Sequence, residues 1–270
     1  MGPKKIIAEL VDECHLRCAL CWNRSRRGSG RQMSLETAAK VLNRYDDPIY
    51  EIVWYNWGEP LLHRKFEVVA EMIGKSKARN VISSSLSLAL TDERLESLNN
   101  FDCINVALSG MTPDIYKIYH TNGAFDLVMK NIKRLAELKL SQVTLIWLNH
   151  KHNTFQMPLV QEFAVNSNFA LVGQGLNCCV EDLVSNFDHE LLRVPKYPYL
   201  GNSCRIQNWD PIDTDGNYLL CCTTHNIKIG YSINDEITRF PFPRNKVLKE
   251  ARLKTPLCIT CRENEYWRMF

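Results

Sequence analysis

Three cysteines near the amino terminus have the spacing of an iron–sulfur ligand set. Cys14, Cys18 and Cys21 form a C-x3-C-x2-C pattern directly after the first apolar run of the chain. Three thiolates can hold three irons of a 4Fe-4S cube and leave the fourth iron open to a ligand. Zinc is the alternative metal, but it needs a fourth ligand, and His15 is too close to Cys14 to serve easily. The pattern therefore favours an iron–sulfur site with one open position.

A second group of cysteines lies near the carboxyl terminus. Its members are Cys204, Cys221, Cys258 and Cys261. Eleven residues separate the first of them from Gly216, four more lead to the second, and the last two form a C-x2-C pair. Four thiolates suit zinc and an iron–sulfur cluster equally well, so chemistry alone leaves both open. Cys222 is left over beside this set.

The composition is that of an ordinary globular protein. The chain has 270 residues, 45% of them hydrophobic and 23% charged, with a formal net charge of +3. This small basic excess gives little electrostatic reason for nucleic-acid binding. No apolar run approaches the roughly 18 residues that span a bilayer, and Ile6–Leu10 is too short for a signal peptide. We therefore expect a cytoplasmic protein without a membrane partner, whose 11 cysteines are metal ligands or thiols.

Apolar runs alternate with stretches of helical periodicity along most of the chain. The six predicted strands are Ile6–Leu10, Glu51–Trp54, Val81–Ser84, Ile104–Leu108, Val143–Leu148 and Leu171–Gly175. Helices are predicted from Ser34, from Lys65, and near 91–99, 113–138 and 155–166. This alternation is typical of an α/β fold with parallel strands, either an open sheet or an incomplete barrel. Both architectures bind ligands at the carboxyl ends of the strands, where the cysteine loop falls.

The alternation ends near residue 175, which divides the chain. We expect a main domain over 1–175, a connection over 176–203 and a small unit over 204–270. That unit is predicted to contain a hairpin about Asp215-Gly216 and a short helix over 243–253. It is too small for an apolar core of its own, so a metal or the main domain must hold it.

The amino-terminal motif resembles the signature of the radical S-adenosylmethionine (SAM) superfamily. The resemblance implies a partial (β/α)6 barrel with a 4Fe-4S cluster held by Cys14, Cys18 and Cys21. It implies that the open iron binds the amino and carboxylate groups of SAM, and that the reduced cluster cleaves SAM to a 5′-deoxyadenosyl radical. Leu20 matches the apolar position before the third cysteine, which in this family lies near the adenine.

Other loops resemble the family at the ends of later strands. Gly58-Glu59-Pro60 looks like the segment that binds the SAM amino group, since glycine allows close approach and a carboxylate accepts from an ammonium. Ser83 and Ser84 occupy the place of a stretch near the ribose.

The chain departs from the family pattern after the fourth strand. Ala107 and Ser109 stand where serine and aspartate are common, and His120 stands where arginine is frequent. The resemblance implies a place for Ser109 at the SAM site. Asn149 opens the polar run 149–153 after the fifth strand, and we expect it to face SAM or substrate.

The carboxyl-terminal cysteines resemble the SPASM and twitch extensions of the superfamily, and are closer to twitch because the further cysteines of a two-cluster SPASM domain are absent. The resemblance implies one auxiliary 4Fe-4S cluster. Cys222 has three interpretations: a ligand in place of Cys221, a hydrogen donor to a substrate radical as in some radical epimerases, or a spare apolar cysteine. Cys103 and Cys178-Cys179 are interpreted as core or loop cysteines.

These resemblances imply an enzyme that oxidises or modifies a sugar-like or other small molecule, with an external one-electron reductant such as flavodoxin or ferredoxin. A peptide or protein maturase or epimerase is the alternative within the superfamily. Many maturases carry an extra amino-terminal peptide-binding domain, which we do not expect before Ile6. An alternative of another class is a non-catalytic zinc-binding interaction module.

Overall fold

The structure is a computed structural model that describes residues 4–21, 28–140, 142–175, 209–219 and 228–234. Six parallel strands come first: β1 (Lys4–Ala8), β2 (Tyr50–Val53), β3 (Arg79–Ser84), β4 (Cys103–Leu108), β5 (Val143–Asn149) and β6 (Ala170–Gly175). The helices are α1 (Leu35–Arg44), α2 (Phe66–Ile73), α3 (Asp92–Glu96), α4 (Pro113–Tyr119), α5 (Phe125–Glu137) and α6 (Met157–Asn166). Three short 3-10 helices span Pro60–Leu62, Ser97–Asn100 and Thr154–Gln156.

The six strands lie side by side in chain order, from β1 to β6. The predicted α/β class with a parallel sheet is therefore confirmed. Helices form where the sequence supplies an N-cap and an apolar face, as in α1, whose N-cap Ser34 accepts from the backbone N–H of Thr37. Val41 of this helix is fully buried. The longest helix in the described ranges, α5, has 13 residues, and none of the described helices could span a bilayer.

Apolar side chains cover both faces of the first strands. The main core, between helices and sheet, contains the fully buried Trp54 and Trp147. A small separate cluster of Ile7, Val53 and Val81 lies on the opposite face, which we call the inner face. These three residues are paired in register across β1, β2 and β3, so they form one apolar row.

The stretch 113–138, predicted as one helix, consists of the two helices α4 and α5. His120 to Ala124 separate them, and Asn122 adopts a left-handed φ of 68°. Gly123 packs on the ring of Tyr116, where an added Cβ would lie 2.4 Å from Cε1. The Asn-Gly turn therefore interrupts an otherwise continuous helical pattern.

The predicted hairpin is present and extends the same sheet. Strand β7 (Trp209–Ile212) pairs in parallel with β1, and β8 (Asn217–Leu219) is antiparallel to β7. The turn between them contains Gly216 at φ 85°. A further strand that was not predicted, β9 (Lys228–Ser232), pairs with β8. The division of the chain at residue 204 stays a prediction, and the expected helix over 243–253 lies outside the described residues.

Candidate active site

The cysteine loop leaves the carboxyl end of β1 and is closed by a short stem. Val11 and Gln32 form an antiparallel bridge, and the backbone N–H of Asp12 donates to the carbonyl oxygen of Arg31 at 3.1 Å. The Asp12 carboxylate accepts from Ser29 Oγ at 2.8 Å and from Arg31 N and Nε at 2.8 and 3.0 Å. Burial raises the pKa of Asp12, but these hydrogen bonds outweigh it and hold the pKa below its usual value. The stem thus fixes both ends of the loop.

The three predicted ligands lie together in this loop. Cys14, Cys18 and Cys21 are half-buried, and the N–H of Cys21 donates to the carbonyl of Cys18 at 3.1 Å. Burial raises the pKa of Cys14 to about 12, with further contributions from Glu59 and Cys21. Burial and the other two cysteines raise the pKa of Cys18 as well. The thiols of Cys14 and Cys18 are therefore protonated at neutral pH, and binding a metal must displace their protons.

The donor set fits an iron–sulfur cube better than a single metal ion. Within the described ranges, no group of three or more His, Cys, Asp and Glu side chains is arranged to hold one metal ion. Zinc needs four ligands about 2.0–2.3 Å from one point. A cube takes each thiolate on a different iron, so the thiols need not converge on one point. Three thiols without a fourth ligand in the described part of the loop match a cube with one open iron.

The loop after β2, which we call the Gly58 loop, packs directly against the residues that lead to Cys14. A Cβ on Gly58 would lie 1.8 Å from the carbonyl oxygen of Val11. Any other residue at this position would therefore require the backbone to shift. The N–H of Glu59 donates to the carbonyl of Glu13 at 2.8 Å. Gly58 is thus required for the close approach of the two loops.

Glu59 is buried and already has donors within the chain. Its Oε2 accepts from Ser85 N at 3.0 Å and Oγ at 2.8 Å, and its Oε1 accepts from Leu61 N at 3.3 Å. A carboxylate offers about four acceptor positions, so one remains on Oε1. The sequence interpretation missed Ser85 as the partner of Glu59, although the Ser83-Ser84-Ser85 run was a signal for it.

The two serines predicted near the ribose point to opposite faces of β3. Ser84 is buried, and its Oγ accepts from Leu86 N at 2.9 Å in a turn where Leu86 has a φ of 52°. Ser83 is half-buried and shares the inner face with Val81. The inner face therefore presents Ser83, while Ser84 has a local role in the turn.

Two of the three departures from the family pattern contact each other in the structure. Ser109 and His120 are both buried, and Ser109 Oγ lies 2.6 Å from His120 Nδ1. Ser109 Oγ donates to the carbonyl of Tyr116 at 3.1 Å, so His120 Nδ1 carries a proton and donates to Ser109. A neutral hydrogen bond thus stands where the family pattern has aspartate and arginine.

Ser109 also holds the loop after β5. His150 Nε2 and Asn153 Nδ2 each donate to the Ser109 carbonyl at 3.0 Å. Asn149 is exposed at the carboxyl end of β5. Of the polar run 149–153, His150 and Asn153 therefore turn inward to a structural contact, whereas Asn149 is exposed.

Acid should destabilise the fold through His120. Burial and the neighbouring His150 lower its pKa to about 3, so the unfolded chain binds more protons between pH 6.5 and 3. The contribution of this histidine to stability is lost as pH falls through that window, by about 2–3 kcal/mol at pH 4.5. We expect urea unfolding of the cluster-free protein to show this loss, and to show less of it in His120→Gln. Equal losses in both proteins would contradict the assignment.

The structure describes some of the remaining predicted residues and not others. Leu20 is 5% exposed, and the N–H of the preceding Ala19 donates to the carbonyl of Tyr119 at 2.8 Å, which joins the cysteine loop to α4. Cys103 is half-buried in β4, as a core or loop cysteine would be. The carboxyl-terminal cysteines all lie outside the described residues: Cys178, Cys179, Cys204, Cys221, Cys222, Cys258 and Cys261.

Comparison with known families agrees with this arrangement. The model of the radical SAM superfamily matches residues 9–160, more than half of the chain. That span includes the cysteine loop, the Gly58 loop and the carboxyl ends of β2 to β5. The chain belongs to the radical SAM superfamily.

Two curated relatives illustrate different extents of similarity. A probable GTP 3',8-cyclase of Methanocella arvoryzae is 27% identical over 135 residues, 50% of this chain and 44% of that protein. The chain spans about half the length of the first curated relatives that it matches. The sporulation killing factor maturation protein SkfB of Bacillus subtilis is 21% identical over 287 residues, 95% of this chain and 69% of that protein.

Solved structures share the fold at low sequence identity. Streptococcus suis SuiB bound to the precursor peptide SuiA has a TM-score of 0.69 at 11% identity, over 98% of this chain and 70% of that one. BtrN in complex with AdoMet and 2-DOIA has a TM-score of 0.57 at 18% identity, over 97% of this chain and 94% of that one. These similarities establish the α/β fold independently of the motifs.

Proposed function

We propose that this chain is an enzyme that reductively cleaves SAM to a 5′-deoxyadenosyl radical, which abstracts hydrogen from a substrate carbon. The observation that carries the proposal is the stemmed loop with three thiols, packed against the Gly58 loop at the carboxyl edge of the sheet. Ligands bind at this edge in parallel α/β folds. Membership of the radical SAM superfamily supports the same chemistry.

Cys14, Cys18 and Cys21 would hold a 4Fe-4S cluster. When bound, that cluster supplies one electron to the sulfonium of SAM, which releases methionine and leaves the radical that becomes 5′-deoxyadenosine on taking a substrate hydrogen. Glu59 would accept a hydrogen bond from the SAM ammonium through the free position on Oε1.

Other residues would line the nucleoside part of SAM. Leu20 would contact the adenine, and Ser83 on the inner face would lie near the ribose. Ser84 and Ser109 would act by holding the loops around the ligand, since their hydroxyls are bonded within the chain. Asn149, exposed at the carboxyl end of β5, would contact SAM or substrate. The apolar row on the inner face would help to exclude solvent from the reaction.

The carboxyl-terminal cysteines would hold an auxiliary cluster of the twitch type. Its ligands would be Cys204, Cys221, Cys258 and Cys261, with Cys222 as an alternative ligand or a hydrogen donor. When bound, this cluster supplies an electron acceptor for the substrate radical, which loses one electron and one proton on oxidation. The support for this part is the sequence pattern alone.

Two substrate classes fit the proposal. A sugar-like small molecule is supported by the fold shared with BtrN. The structure of BtrN contains AdoMet and 2-DOIA, and this chain covers 94% of it. A peptide is supported by SuiB with SuiA and by the similarity to the maturation protein SkfB along 95% of this chain. Transfer of deuterium from a perdeuterated substrate of either class into 5′-deoxyadenosine would distinguish them.

Metal analysis tests the cofactor content. After anaerobic reconstitution we expect about eight irons and eight sulfides per chain, with broad absorbance near about 400 nm. The variant Cys258→Ala/Cys261→Ala should retain about four irons at the amino-terminal site. A colourless protein that binds zinc tightly at both sites would contradict the proposal and support the zinc-binding interaction module.

A further inference from the structure

Glu9 is a buried carboxylate that the proposed chemistry does not use. It follows β1 directly and is 1% exposed. Its Oε1 accepts two consecutive backbone N–H groups, from Trp57 at 2.9 Å and from Gly58 at 3.2 Å. The N–H of Glu9 itself donates to the carbonyl of Ile212 at 3.0 Å, at the end of β7. Both the backbone and the side chain of Glu9 are thus fixed.

The Gly58 loop is held between two elements. Glu9 binds its N–H groups, and the backbone of Val11 is so close that a Cβ on Gly58 would clash. The next residue, Glu59, donates its N–H to Glu13. The position of Glu59 therefore depends on hydrogen bonds that begin at Glu9.

Peptide planarity extends this effect to the carbonyl groups. In a trans peptide the C=O points opposite to the N–H of the same unit. The carbonyls of Asn56 and Trp57 belong to the units whose N–H groups point at Glu9, so they face away from it. Glu9 thereby sets the orientation of the two peptide units that lead to Glu59.

We infer that Glu9 is a positioning residue for SAM binding, which orients the Trp57–Gly58 backbone and Glu59 toward the ammonium group of the ligand. The inference rests on the proposed function. A carboxylate oxygen that binds two adjacent N–H groups is a stronger anchor than a neutral acceptor.

Burying the charged form of the Glu9 carboxyl group is electrostatically unfavourable. Burial raises the pKa of Glu9 to about 7 against the effect of the two N–H groups, and the nearby Asp12 and Asp213 raise it further. A buried carboxyl group with a shifted pKa is more frequent at functional sites than in ordinary cores.

Glu51 offers a matched control. It is also a buried carboxylate, 7% exposed, but it lies in β2 near the opposite end of the strands and forms ion pairs with Lys5 and Arg79. Replacing it removes a buried charge without touching the Gly58 loop. A purely structural role of Glu9 would make the two residues equivalent.

The experiment is the dissociation constant of SAM, measured by equilibrium dialysis on the reconstituted, oxidised protein. We expect Glu9→Ala to weaken SAM binding by about tenfold or more, as loss of supporting contacts typically does. Glu9→Gln keeps an acceptor oxygen and should bind SAM within a few-fold of wild type. Glu9→Asp keeps the charge but shortens the side chain, so it should weaken SAM binding as Glu9→Ala does. This variant tests the inference even if Glu9→Ala does not fold. Glu51→Ala should leave the dissociation constant unchanged.

The outcomes separate this inference from the proposed function. Unchanged SAM binding in Glu9→Ala and Glu9→Asp, or equal weakening in Glu51→Ala, would overturn the positioning role while SAM binding by the wild type still stands. A reconstituted wild-type protein that binds no SAM would overturn the proposed function, and the inference with it.

Discussion

Replacing Cys14, Cys18 or Cys21 by alanine should reduce the release of 5′-deoxyadenosine to background, a loss on the order of 1000-fold or more. The three thiols lie on one loop, and the described part of the chain places no fourth ligand with them. Because the three act as one unit, a single replacement should cost as much as the triple one. The measurement is chromatography of the nucleoside products from SAM with dithionite-reduced protein.

Cys103 is the control for this prediction. It is a half-buried thiol in β4, and its Sγ contacts Asn105 Oδ1 at 3.5 Å. Cys103→Ala should therefore leave product release and iron content nearly unchanged. The ligand assignment would be wrong if any of the three loop variants kept substantial activity, or if Cys103→Ala lost it equally.

The second large effect is expected for Gly58→Ala. Its Cβ would lie 1.8 Å from the carbonyl oxygen of Val11, and backbone atoms cannot move aside as a flexible side chain can. The loop must shift away from the approach to Cys14, which displaces Glu59 as well. A displacement of about 1 Å can cost about 100-fold, so we expect weakening of that size in SAM binding and turnover.

Gly74→Ala is the matched control for this steric effect. A Cβ there would lie 2.4 Å from Asn100 Oδ1, the end of a side chain that can rotate away. Gly74 ends α2, and its φ of −62° suits alanine. We expect this variant to bind SAM as the wild type does. Normal SAM binding by Gly58→Ala would show that the loop is not held against Val11 in the way described.

Much of the fold could be predicted from the sequence because each strand is a short apolar run ended by a polar loop. The break between α4 and α5 was missed because apolar spacing continues past it, although the Asn122-Gly123 pair is a turn signal. Strand β9 was missed because it is defined by pairing with β8, a contact that local pattern does not reveal.

The candidate site was predictable where a residue type carries its own chemistry. The cysteines and Gly58-Glu59 belong to this group. The contact of Ser109 with His120 was not predictable, because the two changes are eleven residues apart and meet only in the fold. Glu9 was interpreted as part of an apolar strand, since nothing local reveals that its side chain binds the loop after β2. A residue whose role is to position another residue is recognised only from its long-range contacts in the structure.

The central claim is tested most directly by SAM cleavage in the wild-type protein. The reconstituted protein, reduced with dithionite under anaerobic conditions, is incubated with SAM, and both methionine and 5′-deoxyadenosine are quantified. We predict that the two products appear together in equal amounts and require both the reductant and the cluster. A protein that contains the cluster and binds SAM, yet releases no 5′-deoxyadenosine with or without candidate substrates, would contradict the account.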